Sequence, residues 1–104
     1  MLIISRLIFG IYFFNMTYKR TDANQSEIMD ELRKQGFSVW STSDKGKGGV
    51  DVIAGKNGIN YMIEIKDGNK PPSQQKLTPA EKKFHENWKG KIHIIKNKNE
   101  IQEL

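Results

Sequence analysis

Three side chains close together in the chain carry its most distinctive chemistry: Asp51, Glu64 and Lys66. Asp51 stands in Gly49-Val50-Asp51-Val52-Ile53-Ala54-Gly55, and the other two stand in Tyr61-Met62-Ile63-Glu64-Ile65-Lys66-Asp67. Both stretches are otherwise largely apolar, so both carboxylates are expected in water-poor surroundings. A buried carboxylate is costly unless it is paired, hydrogen-bonded or metal-bound. Glu64 and Lys66 are two residues apart, which puts them on one face of a strand. Two hard-oxygen acids beside an ammonium suit a divalent cation, Mg2+ or Mn2+, with positions left for water and a phosphate oxygen. Such a cation polarises phosphate and acidifies bound water, and the ammonium stabilises charge developing on the phosphorane. The plainer alternative is a Glu64–Lys66 ion pair on an exposed strand, which leaves Asp51 unexplained.

The elements that must position these groups follow from local pattern. The two apolar runs read as buried strands. Asn57-Gly58 between them predicts a tight antiparallel hairpin. Thr21–Gln35 reads as a helix, with Thr21 or Asp22 as N-cap and Gly36 at C′. Its apolar face is set by Ile28, Met29 and Leu32; Gln25 falls near the centre of that face and Glu27 points away. Two roles stay open for Gln25: an amide touching metal-bound water, or a buried side chain hydrogen-bonded to the sheet. Phe37–Thr42 alternates as a half-buried strand. Thr78-Pro79-Ala80-Glu81 opens a second helix with Thr as N-cap, Pro at N1 and Glu at N3 of a capping box. Phe84 and Trp88 share a face of that helix, and Gly90 is expected to end it. Lys91–Lys96 is a last strand, with His93 opposite Ile92 and Ile94, and Glu100–Leu104 a short terminal helix. The expected fold is a single small α/β domain, a central mixed sheet with flanking helices, ordered α-β-β-β-α-β.

The chain has 104 residues, enough for one domain. It has no cysteine, which removes disulfides and thiolate metal sites and fits a cytoplasmic protein. Its net charge of +5 suits a polyanionic partner. Lys45 and Lys47 lie in a Gly-rich loop before Asp51, and Lys70 in a turn after Lys66; all three are candidate nucleic-acid contacts, the loop otherwise being a solvated connection. His85, with no second His or Cys at ligand spacing, reads as a packing or surface residue. Residues 1–15 are strongly apolar but too short to span a membrane. They are expected to be an extension upstream of a true start at Met16, the domain proper being 16–104. The competing expectation is a segment that binds a partner or touches a membrane.

With those residues in view, the sequence resembles the PD-(D/E)xK nuclease superfamily, most of all its VRR-NUC and Holliday-junction-resolvase branch. The resemblance is carried by Val50-Asp51 and Glu64-Ile65-Lys66 and runs from about Arg20 to Ile95, including Leu77–Glu81 and Phe84–Trp88. The proline usual before the acid is Val50. The resemblance implies a restriction-endonuclease-like core that hydrolyses phosphodiesters with Mg2+ or Mn2+. It adds the backbone carbonyl of Ile65 as a ligand beside Asp51 and Glu64. Lys66 would be catalytic, and Gln25 would stand where resolvases carry a helix glutamate. VRR-NUC relatives often have glutamine where Glu81 falls, although the capping box already accounts for Glu81. The implied partner is DNA, favouring junctions, flaps or branches, in repair, recombination or phage DNA processing, with a homodimer at work. The alternative keeps the fold and the DNA binding and drops catalysis, Gln25 marking decay of the site.

Overall fold

A computed structural model describes residues 23–42 and 49–104. Residues 1–15, the caps Thr21 and Asp22, and Lys45 and Lys47 lie outside the described residues. Two helices, α1 (Gln25–Lys34) and α2 (Pro79–Asn87), accompany four strands: β1 (Ser38–Ser41), β2 (Val52–Lys56), β3 (Ile59–Ile65) and β4 (Ile92–Ile95). Short 3-10 turns cover Pro72–Gln74 and Lys98–Glu103. The strands form one mixed sheet in the order β1-β2-β3-β4. The first three are antiparallel neighbours, and β4 returns parallel to β3 after α2. A parallel return needs a crossover, which α2 and its leading loop provide. The expected α/β class and element order hold.

Local chemistry sets most boundaries. Asn57 and Gly58 both have positive φ, 54° and 80°, as a two-residue primed hairpin requires, and Lys56 pairs with Ile59 across it. Helix α1 closes in a Schellman motif. Gly36 has φ 95°, its N–H donates to Arg33 O at 3.0 Å, and Phe37 N–H donates to Leu32 O at 3.0 Å. Phe37 and Leu32 then enter the core together.

The start of α1 differs from expectation. The helix begins at Gln25, and Asn24 precedes it without making a side-chain cap. The Asn24 amide instead donates to two strand-end carbonyls, Lys66 O at 3.2 Å and Lys96 O at 3.0 Å. That tie joins α1 to the C-terminal ends of β3 and β4. Helix α2 stops at Asn87, before Gly90, because Trp88 is already extended at ψ 128°.

The core lies between α1 and one sheet face: Ile28, Leu32, Val52, Ala54, Ile63, Ile65, Ile95 and Ile101 are fully or nearly fully buried. His93 shares that side through its ring contact with Tyr61. The opposite face leaves Trp40 and Ile94 exposed. Among the described residues, no helix is long and apolar enough to cross a membrane.

Candidate functional site

Asp51 sits immediately before β2 but is held in the sheet. Its N–H donates to Ile63 O at 3.1 Å, its carbonyl accepts from Thr42 N–H at 2.8 Å, and its Oδ2 accepts from Ile65 N–H at 2.8 Å. The residue thus brackets Glu64, hydrogen-bonding the residue on each side of it. Register gives the same result: Val52 pairs with Ile63, and one step further brings Asp51 alongside Glu64. Both carboxylates are buried, Asp51 at 3% and Glu64 at 0% exposure.

Lys66 is buried as well, and its ammonium points to α2, where Nζ donates to Glu81 Oε1 at 2.7 Å. Glu81 Oε1 also accepts from Thr78 N–H at 2.9 Å, and Glu81 N–H donates to Thr78 Oγ1 at 3.2 Å, completing the predicted capping box. One turn further along α2, His85 Nε2 lies 3.4 Å from Glu64 Oε1. The helix therefore meets both members of the Glu-x-Lys pair, Lys66 through Glu81 and Glu64 through His85. Burial by itself would raise the Glu81 pKa. The Lys66 hydrogen bond, the Thr78 N–H, the Lys66 charge and a hydrogen bond with Glu64 outweigh it and lower the value to about 2. Glu81 is thus an anion at any ordinary pH.

Asp51, Glu64, Lys66 and Glu81 line one cavity of about 710 Å3, together with Ile65, Lys70, Lys76 and Thr78. Clefts of roughly 300–1,000 Å3 are usual for small-ligand sites. The structure brings together Asp51, Glu64, Ile65, Lys66 and Lys70 of the expected set. Gln25 is buried at 8% exposure on α1 and is not among the lining residues; its amide approaches Met29 Sδ at 3.8 Å. Glu27 is exposed and reaches Lys98.

Two residues were undervalued by sequence reasoning. Glu81 looked complete as a helix cap, and His85 looked like a packing residue. The available signal was their spacing of four, which aims both from one helix face.

The donor set bears directly on a metal. Among the described residues, no group of three or more His, Cys, Asp or Glu is arranged to hold a metal ion. An all-side-chain cage is therefore not what this site offers. Two carboxylates with a neighbouring carbonyl suit the sparser manner of Mg2+, which keeps several waters and takes one or two carboxylates plus substrate phosphate.

No curated protein and no solved structure matches the chain. Residues 25–98 match the restriction endonuclease family Mrr_cat, a span that contains every described strand and both helices. A match over that span, on a sheet that gathers Asp51, Glu64 and Lys66 at one cavity, makes the chain a member of this restriction endonuclease family and a nuclease-fold domain of the PD-(D/E)xK superfamily.

Proposed function

We propose that this domain binds DNA across the Asp51–Glu64–Lys66 cavity and hydrolyses a phosphodiester there with Mg2+ or Mn2+. One observation carries the reading: Asp51, held by the backbone on either side of Glu64, lines one cavity with Glu64 and Lys66. Asp51, Glu64 and the Ile65 carbonyl would hold the cation, which when bound polarises the phosphate and supplies an acidified water. Water oxygen bonds to phosphorus as the P–O ester bond breaks, one water proton is given up, and the leaving oxygen takes a proton. The Lys66 ammonium orients the water or offsets charge on the pentacoordinate phosphorus. Lys70 at the cavity, with Lys45 and Lys47 of the Gly-rich loop, would carry the DNA backbone. The burial of Gln25 beside Met29 supports the buried role over contact with metal-bound water.

The finer likeness to VRR-NUC proteins and junction resolvases supports branched, flap or junction DNA, a homodimer spanning two strands, and work in the cytoplasm on repair, recombination or phage DNA. A small domain of this kind reads DNA shape through phosphates more readily than base edges.

A second reading keeps the DNA binding and drops the cleavage. It is favoured by the donor count, since among the described residues no group of three or more His, Cys, Asp or Glu is arranged to hold a metal ion. The count weighs toward this second reading; the two part only at the metal. The deciding experiment is cleavage of single-stranded, duplex, flap and four-way-junction DNA with Mg2+, with Mn2+ and with EDTA, using wild type and Asp51→Asn. Metal-dependent cutting lost in Asp51→Asn supports the hydrolase. Binding to DNA with no cutting under any condition leaves the binding module.

A further inference from the structure

Lys66 reaches a carboxylate that lies on another element. Two residues along the same strand face stands Glu64, the neighbour that a lysine in this position would be drawn to. Its Nζ instead lies 2.7 Å from Glu81 Oε1 on α2, with both side chains under a tenth exposed. The Glu81 end is the fixed one: the same Oε1 accepts from Thr78 N–H, and the Glu81 N–H returns to Thr78 Oγ1. Pro79 at N1 stiffens that first turn. The flexible lysine stem is the end that adjusts.

We propose that Glu81 is a positioning residue for a cation at Asp51 and Glu64: it holds the Lys66 ammonium on α2 and so keeps it off the Glu64 carboxylate that the cation would use. The proposal rests on the metal-dependent reading above. Without the charge at position 81, the buried Lys66 needs another anion, and the cavity supplies Glu64 and Asp51. The lysine would then occupy the cation's place. A feature that looks purely local, the Thr78–Glu81 capping box, thus sets the charge layout of a site assembled from distant strands. Glutamine fills the third helical position of a capping box as well as glutamate does, so Glu81→Gln separates the two roles.

The experiment is a Mn2+ titration of the full chain, with free Mn2+ followed by electron paramagnetic resonance and folding checked by circular dichroism. Glu81→Gln should weaken Mn2+ binding about 10–100-fold, the range usual for losing a partner behind the metal ligands. Adding Glu81→Gln to Lys66→Ala should cost nothing further, because no ammonium is left to intrude. Glu81→Asp keeps a charge but shortens the reach to Lys66; it should lose affinity as Glu81→Gln does, and serves if the glutamine variant fails to fold. Wild-type affinity in Glu81→Gln or, failing that variant, in Glu81→Asp overturns the proposal alone. So does an equal loss in the Lys66→Ala background, which would mean that Glu81 acts on the site directly, as a ligand or through its hydrogen bond with Glu64. A wild type that binds no Mn2+ overturns the proposal and the metal-dependent reading together.

Discussion

At the scale of single residues, the cavity assigns different work to its acids and its base. Asp51→Asn and Glu64→Gln preserve shape and remove one negative oxygen donor each. Both should lose Mg2+ binding and, with it, cleavage. Lys66→Ala should retain most metal and DNA binding while turnover falls roughly 10²–10³-fold, the usual cost of deleting one group that acts on transition-state charge. Parallel assays of Mn2+ affinity, DNA affinity and cleavage rate check the contrast; a purely structural Lys66 would change stability and leave rate alone. Gln25→Glu tests the helix position. Gln25 is buried and does not line the cavity, so an added carboxylate there meets no cation. Its cost is bounded by protonation: holding a carboxyl of ordinary pKa about 4.3 neutral at pH 7 costs at most about 4 kcal/mol. The expected outcome is a loss of urea stability of up to that size with Mn2+ affinity unchanged. Tighter Mn2+ binding would instead return Gln25 to the site.

At the scale of elements, α2 is joined to the sheet through charged groups. Lys66 on the β3 side meets Glu81, and Glu64 meets His85. Helix α1, by contrast, packs Ile28 and Leu32 into the apolar core and adds the Asn24 tie to Lys66 O and Lys96 O. Acid should therefore act on α2 first. Glu81 in the folded protein has its pKa lowered to about 2 from an ordinary 4.5. A depressed carboxylate pKa stabilises the fold above the unfolded value and loses that contribution as pH falls through the folded one. The Glu81 contribution should be complete above about pH 4.5 and vanish toward pH 2. Urea melts of wild type and Glu81→Gln in EDTA should show a stability gap that is constant from pH 7 to 5 and closes below that. A gap independent of pH would mean that Glu81 acts as a cap and not as an anion.

At the scale of the molecule, an excess of basic side chains gives a net charge of +5, while the cavity sets Asp51, Glu64 and Glu81 against Lys66, Lys70 and Lys76. The excess of positive charge suits a domain whose partner is a polyanion. DNA affinity should then fall steeply with salt, by close to 0.9 in log–log slope for each phosphate neutralised on duplex. Neutralising Lys45 and Lys47 together should flatten the slope by up to about two phosphates' worth. Titrations across a salt series read this directly, and an unchanged slope would leave the Gly-rich loop as a connector.

Much of this architecture follows from residues within four positions of one another. The Asn57-Gly58 hairpin, the Gly36 helix stop and the Thr78–Glu81 capping box each depend on one backbone conformation and a nearby hydrogen bond. The alternation and helical spacing of apolar residues supplied the element order. The pairing of Asp51 with Glu64 was legible for the same reason, since a two-residue turn fixes the register of both strands. What tertiary structure alone decided are contacts between groups far apart in the chain. Lys66 meets Glu81 on α2, Asn24 ties to two strand-end carbonyls, and Asp51 spends an oxygen on Ile65 N–H. Lys66 and Asp51 each had a role in the sequence, and Asn24 had none. The crossover that lays α2 beside the end of β3, and the tertiary fold that brings the start of α1 to the ends of β3 and β4, supplied better-placed partners in a buried setting, where an unmatched charge or amide is most costly.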